Sequence, residues 1–159
     1  MDYKKALHLE PWFLQLPPSS FPGSEDYVAF YKTLKEKLRP IHKQVTAGAD
    51  YTDGTSLTWH DDSHIEKVIQ KASELLTYKN ASVSPFEAFI LLVSIQLHDI
   101  MNSDGRTDHE NRAIEIFSIL EINGLVDNFV KDPIKKIISC HSGSFKNGDL
   151  KEKDKIGFF

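Results

Sequence analysis

Residues Phe89–Asn102 read FILLVSIQLHDIMN. From Phe89 to Leu97 the run is apolar apart from Ser94 and Gln96, and a helix that is hydrophobic all round belongs in a protein interior. It ends on two adjacent polar residues, His98 and Asp99. Burying an imidazole and a carboxylate is costly unless each finds a partner. A metal ion is one such partner, provided other histidines complete its coordination. Taken alone, the pair is more economically a satisfied core histidine beside an aspartate that caps the next segment.

Flanking signals define this helix. Ser84-Pro85-Phe86-Glu87 supplies a cap, a proline at the first helical position and a glutamate closing a capping box. Asn102, Ser103, Asp104 and Gly105 read as the turn beyond it. Upstream, Ser63 and Glu66 form another capping box, and Ile65, Val68, Ile69, Ala72, Leu75 and Leu76 form one apolar stripe. His64 falls in the first turn of that helix, with His60 just ahead. Earlier still, Tyr27, Phe30, Tyr31, Leu34, Leu38 and Ile41 recur at helical spacing opposite Lys32, Lys35, Glu36 and Lys37. Ser24, Glu25 and Asp26 suit the start of this amphipathic helix. Thr46–Ser56, with Gly48, Asp50, Asp53 and Gly54, reads as a loop.

Downstream, Thr107 and Glu110 form a third capping box, with His109 in the first turn. Ala113, Phe117 and Leu120 supply its packing stripe, helped by Ile114 and Ile116, and Gly124 punctuates the end. Asp132-Pro133 reads as the cap and first position of a last helix. There Ile134, Ile137 and Ile138 lead to Cys140-His141, before Ser142-Gly143-Ser144 stops it. No segment sustains period-two alternation, so the expected fold is all-α, a bundle of about five helices.

Residues 1–24 hold four of the seven prolines, which forbid a long helix there. They read as an extended arm carrying Trp12, Phe13, Leu14, Leu16 and Phe21, laid on the domain surface or on a partner. Residues 25–144 form the helical domain, and residues 145–159 a polar tail. At 159 residues, with 40% hydrophobic and 26% charged content, the chain suits one ordinary globular domain. A net charge of −4 without a basic block gives no electrostatic footprint for duplex nucleic acid and argues against a single-strand nuclease. The single cysteine, Cys140, excludes an internal disulfide framework and fits a reducing compartment. The N-terminus lacks the apolar core of a secretory signal, and the longest apolar run is far below the roughly 20 residues that span a bilayer. A cytoplasmic location with no membrane partner is expected.

His64, His98, His109 and His141 thus all fall near helix termini, positions that helices packed about one centre bring together. Imidazole nitrogens with a carboxylate oxygen suit a divalent ion such as Mn, Fe, Ni, Co or Zn, or Mg if further oxygen ligands join. The spacings are too wide for a local zinc motif. His60 reads as solvent-facing or as support for a ligand, Asp61 or Asp62 as a cap, and Arg106 as a solvated loop residue. For His109 and His141 an ordinary helix-end histidine is an equally good reading, and the helix dipole favours His141 at a C-terminus.

The pattern resembles the HD-domain metal-dependent phosphohydrolases. LTWHDDSHIEKVI is similar to the segment bearing that family's first metal-binding histidine, matched to His64, and LLVSIQLHDI to the segment bearing its paired His-Asp, matched to His98 and Asp99. DGRTDHENRA and IISCHSG resemble the next two histidine-bearing segments, matched to His109 and His141. The resemblance is strongest over 51–144. It implies a helical HD fold in which His64, His98 and Asp99 hold a divalent metal ion. His109 and His141 would carry the catalytic roles, binding a second ion or contacting phosphate. The implied reaction is hydrolysis of a phosphate ester or anhydride, often in a nucleotide.

The sequence departs from the family in two places. Met101 stands where the family commonly has glycine, and its usual last aspartate ligand has no counterpart beyond Asp149 and Asp154 in the polar tail. The expectation is a piece of a longer protein, or an incomplete site. The chain also resembles HD domains at the front of larger proteins, some followed by a GHKL-type ATPase domain, so a further C-terminal domain is expected. The alternative function is a regulatory or interaction module that binds metal or ligand with little catalysis and controls an attached domain.

Overall fold

The computed structural model of the protein describes residues 8–48, 62–79, 81–100, 109–120 and 128–140. Among the described residues six α-helices run in the order α1 (Leu9–Phe13), α2 (Tyr27–Gly48), α3 (Asp62–Tyr78), α4 (Pro85–Leu97), α5 (His109–Ile119) and α6 (Asn128–Cys140). The described residues contain no strand, and the fold is all-α as expected. Helix α4 is the centre: α1, α2, α3, α5 and α6 all pack against it. From Ala88 to Leu97 every residue except Leu91 is buried. Its start follows the local code, since Ser84 Oγ accepts from the Glu87 N–H at 3.2 Å while Glu87 Oε2 accepts from the Ser84 N–H at 2.7 Å. Its two interior polar residues are satisfied: Ser94 Oγ donates to the Ile90 carbonyl and Gln96 Nε2 donates to Tyr31 Oη.

The segment ahead of α2 does not run extended throughout. Leu9–Phe13 closes a short helix, and 3₁₀ turns follow at Pro18–Ser20 and Pro22–Ser24. Of the two expected placements, on the domain or on a partner, its apolar side chains take the first, and they go deeper than the surface. Leu9, Trp12, Phe13, Leu16 and Phe21 are buried in the same core as α4. Phe13 stacks on Phe89 at 6.3 Å, and Tyr27 and Phe30 of α2 meet the same ring at 4.7 and 5.5 Å. Prolines limit the length of helix in this segment, whereas its aromatic side chains determine where it packs. Ser73 Oγ of α3 accepts from the Leu9 N–H at 2.7 Å and fastens the start of α1.

Several boundaries differ from the sequence expectation. Helix α2 starts at Tyr27 with Asp26 as its cap, Asp26 Oδ1 accepting from the Ala29 N–H, and it continues through Pro40 to Gly48. The expected loop at Thr46–Ser56 therefore begins inside a helix, and its remainder lies outside the described residues. Helix α3 begins at Asp62, so Ser63 stands within its first turn rather than ahead of it. The last helix starts at Asn128, and Pro133 is interior rather than at the first position. Packing accounts for that extra turn: Val130, Ile134 and Ile138 form one buried row, and Phe129 stacks on Phe86 at 5.2 Å.

Helices α1 and α2 are also joined by a polar chain. Tyr31 Oη donates to Glu10 Oε1 at 2.5 Å, and Lys35 Nζ reaches the same oxygen at 2.8 Å. Burial, with the Glu10 carboxylate beside it, pushes the Tyr31 phenol well above its ordinary value of 10.0. A group that holds its proton more tightly when folded stabilises the fold at low pH, and that contribution is lost as pH rises above the unfolded value.

Truncating Phe89 or Phe13 to alanine is expected to cost about 3–5 kcal/mol each in urea unfolding. A Phe13→Ala loss within about 0.5 kcal/mol would place the N-terminal segment outside the core. Unfolding midpoints measured from about pH 9 to about pH 11 should decline, and less steeply in Tyr31→Phe. Equal slopes would contradict a buried, protonated Tyr31.

Candidate metal centre

Helix α4 is continuous to Leu97, and His98 to Ile100 close it in a turn, His98 itself keeping helical dihedrals. A helix leaves its last four carbonyls without intrahelical partners, and those of buried helices must be satisfied some other way. At the end of α4 the four are Ser94, Ile95, Gln96 and Leu97. Ser94 accepts from the His98 N–H at 3.0 Å, and Leu97 accepts from the Ile100 N–H at 3.2 Å in a tighter closure. Ile95 accepts from Nδ1 of His98 at 2.7 Å. Gln96 accepts from Nε2 of His42, on α2, at 2.9 Å. Ile100, 1% exposed, anchors the far side of the turn.

The bond to Ile95 decides the chemistry of His98. A carbonyl only accepts, so Nδ1 carries the proton and Nε2 faces outward as the potential ligand atom. That Nε2 lies 2.9 Å from Asp99 Oδ2. A nitrogen lone pair directed at a carboxylate oxygen requires a cation between or beside them, either a second proton or a metal. His64, delivered by the first turn of α3, brings its buried Nε2 to 3.6 Å from the same oxygen. The two imidazole rings lie 5.7 Å apart and 27° from parallel. All three ligand atoms fall within 4.8 Å of one another, the one such grouping among the described residues.

The separations of 2.9 and 3.6 Å from Asp99 Oδ2 are close to those of shared coordination. Metal–ligand bonds of about 2.1 Å place neighbouring ligand atoms about 3.0 Å apart at right angles and about 3.4 Å at the tetrahedral angle. Two nitrogens and one carboxylate oxygen are a donor set for first-row divalent ions, and three protein ligands leave positions for water or substrate. The side chains of His98 and Asp99 are each 14% exposed and that of His64 28%, so the cluster is reachable from one side.

Of the five residues expected at a site, the structure thus brings together His64, His98 and Asp99. Backbone placement puts His109 at the first residue of α5, next to α4 in the packing. Its side chain lies outside the described residues. So do His141, one residue beyond the end of α6, and Met101, Asp149 and Asp154. Sequence reasoning missed His42 and gave Gln96 no role. Both are buried, at 4% and 1% exposure, and lie 54 positions apart. Only the polarity of Gln96 within an apolar run pointed to it.

A bundle of helices around one buried helix, with a His-His-Asp cluster where that helix ends, defines an HD-type helical domain. The chain belongs to the HD-CE family, whose model matches residues 48–158, more than half of its length and a range that includes the whole cluster. No curated protein and no solved structure matches it. Residues 8–47, which supply α1 and nearly all of α2, precede the matched range. No described helix is long and apolar enough to cross a membrane.

A ligand that binds only the folded state stabilises it by mass action. In chelator-stripped protein, Mn²⁺ at about 100 times its dissociation constant should raise the unfolding free energy by about 2.7 kcal/mol. The increment should vanish in Asp99→Ala. An equal Mn²⁺ response in wild type and Asp99→Ala would move the ion away from this cluster.

Proposed function

We propose that the protein is an HD-type metal-dependent phosphohydrolase acting on a nucleotide or another phosphate ester or anhydride. The observation that carries this reading is the convergence of His64 and His98 on one Asp99 oxygen within a chain of the HD-CE family. A divalent ion held there supplies a Lewis acid for phosphoryl oxygen and lowers the pKa of bound water.

The chain's own groups prepare that chemistry. The bond from His98 Nδ1 to Ile95 fixes the ring's tautomer and orientation, so Nε2 is presented ready for coordination. Asp99 contributes the single negative charge of the three-residue set, which leaves a dication's site net positive and suited to an anionic substrate. Partial burial of the three side chains removes competing water from one side and strengthens their electrostatic grip. His109 and His141 are assigned the contacts with substrate phosphate or with a second ion, which imidazole serves as a donor when charged and as a ligand when neutral.

The test is phosphate release by the Mn²⁺-loaded protein from nucleoside mono- and triphosphates, and nitrophenol release from bis(p-nitrophenyl) phosphate. Asp99→Ala and His64→Ala should each lower turnover about 100-fold or more, since even residues that merely orient ligands are worth about 10–100-fold. Metal-loaded protein inert on every substrate would instead favour an HD module that binds metal and controls an attached domain.

A further inference from the structure

We infer that His42, which precedes the family-matched range, is a positioning residue for the metal cluster. The inference rests on the metal reading of His64, His98 and Asp99. Among the partners of the last four α4 carbonyls, His42 is the one supplied by another helix. It acts two residues before His98.

The consequence follows from helix geometry. In a continuing α-helix the Ile100 N–H would bond the Gln96 carbonyl, four residues back. Here it bonds Leu97, three residues back, at 3.2 Å. That tighter closure ends the α-helical bonding pattern around Asp99, the residue that meets His64 at 3.6 Å. The Gln96 carbonyl is occupied by the His42 ring at 2.9 Å, with Nε2 carrying the proton because a carbonyl only accepts. Removing that donor leaves a buried carbonyl whose donor in a regular α-helix is the Ile100 N–H. Capturing it would continue the helical ladder past His98, whose backbone is already helical, and shift Asp99 relative to His64. His42 thus biases the choice between two closures of one helix end. The Gln96 side chain is gripped as well, through Nε2 to Tyr31 Oη at 3.1 Å, so α2 holds this residue at both its backbone and its side chain.

Space around His42 allows a clean test. A cavity of about 230 Å³ adjoins it, bordered also by Ile65 and Gln96, so a glutamine at this position has room to place its amide donor. His42→Gln keeps a donor, whereas His42→Met keeps bulk without one. Leu38→Ala, on the same helix and buried in the core, lowers stability but removes no hydrogen-bond donor to Gln96. The measurement is Co²⁺ titration of the full chain, followed by its visible ligand-field bands, with circular dichroism to confirm that each variant is folded.

His42→Met should bind Co²⁺ about tenfold more weakly than wild type and shift the bands, at the low end of the effect of losing a residue that orients a metal ligand. His42→Gln and Leu38→Ala should retain wild-type affinity and spectrum. Equal affinities for His42→Gln and His42→Met, or weakening by Leu38→Ala as large as by His42→Met, would overturn the positioning role alone. Wild-type protein that fails to hold Co²⁺ would overturn the metal reading and this inference together.

Discussion

A helix with no polar face must be covered on every side, and α4 imposes that requirement on the whole molecule. Fully burying one large apolar side chain is worth about 1.5–3 kcal/mol, so leaving any flank of α4 in water would forfeit several such contributions. The short α1 brings Phe13, α2 brings Tyr27 and Phe30, and α6 brings Phe129, each to an aromatic ring of the central helix. Helices α3 and α5 close the remaining sides. The segment before residue 48 is therefore structural rather than accessory: without it Phe89 would lose the rings that cover it.

The same burial makes the end of α4 chemically special. Backbone carbonyls that would face water at the end of a surface helix here need partners within the protein. Two of the four are satisfied by imidazoles, His98 from the helix's own end and His42 from α2. The first of these bonds also sets which nitrogen of His98 is offered outward. A requirement of folding, the capping of a buried helix, thereby does part of the work of building a ligand site.

Local signals were readable where the interaction spans a few residues. The Ser84–Glu87 capping box is realised in both directions, and the apolar stripes of α2, α3 and α5 face the core, except that Leu75 of the expected α3 stripe is exposed. The start of α6 was misread because Asp132-Pro133 is a good local cap. Burial of Val130 and stacking of Phe129 on Phe86 favour an earlier turn that no short-range rule contains. The N-terminal segment was misjudged for a related reason. Prolines report on backbone freedom, whereas docking of Trp12 and Phe13 depends on a surface made by helices distant in sequence.

By itself the amino-acid sequence determined that the described residues form helices without strands, that one helix is buried over most of its length, and that His98 and Asp99 are carried out of its last turn. Those properties are periodicities and adjacencies, which the backbone converts directly into faces and ends. Only the tertiary structure decided that His64 meets Asp99 at 3.6 Å and that His98 presents Nε2 rather than Nδ1. It alone brought His42 to the Gln96 carbonyl. The contacts of His64 and His42 depend on how separate helices cross, and a crossing is set by the summed fit of many side chains rather than by any motif; the orientation of His98 is a local rotamer choice at the end of α4 that the sequence does not display.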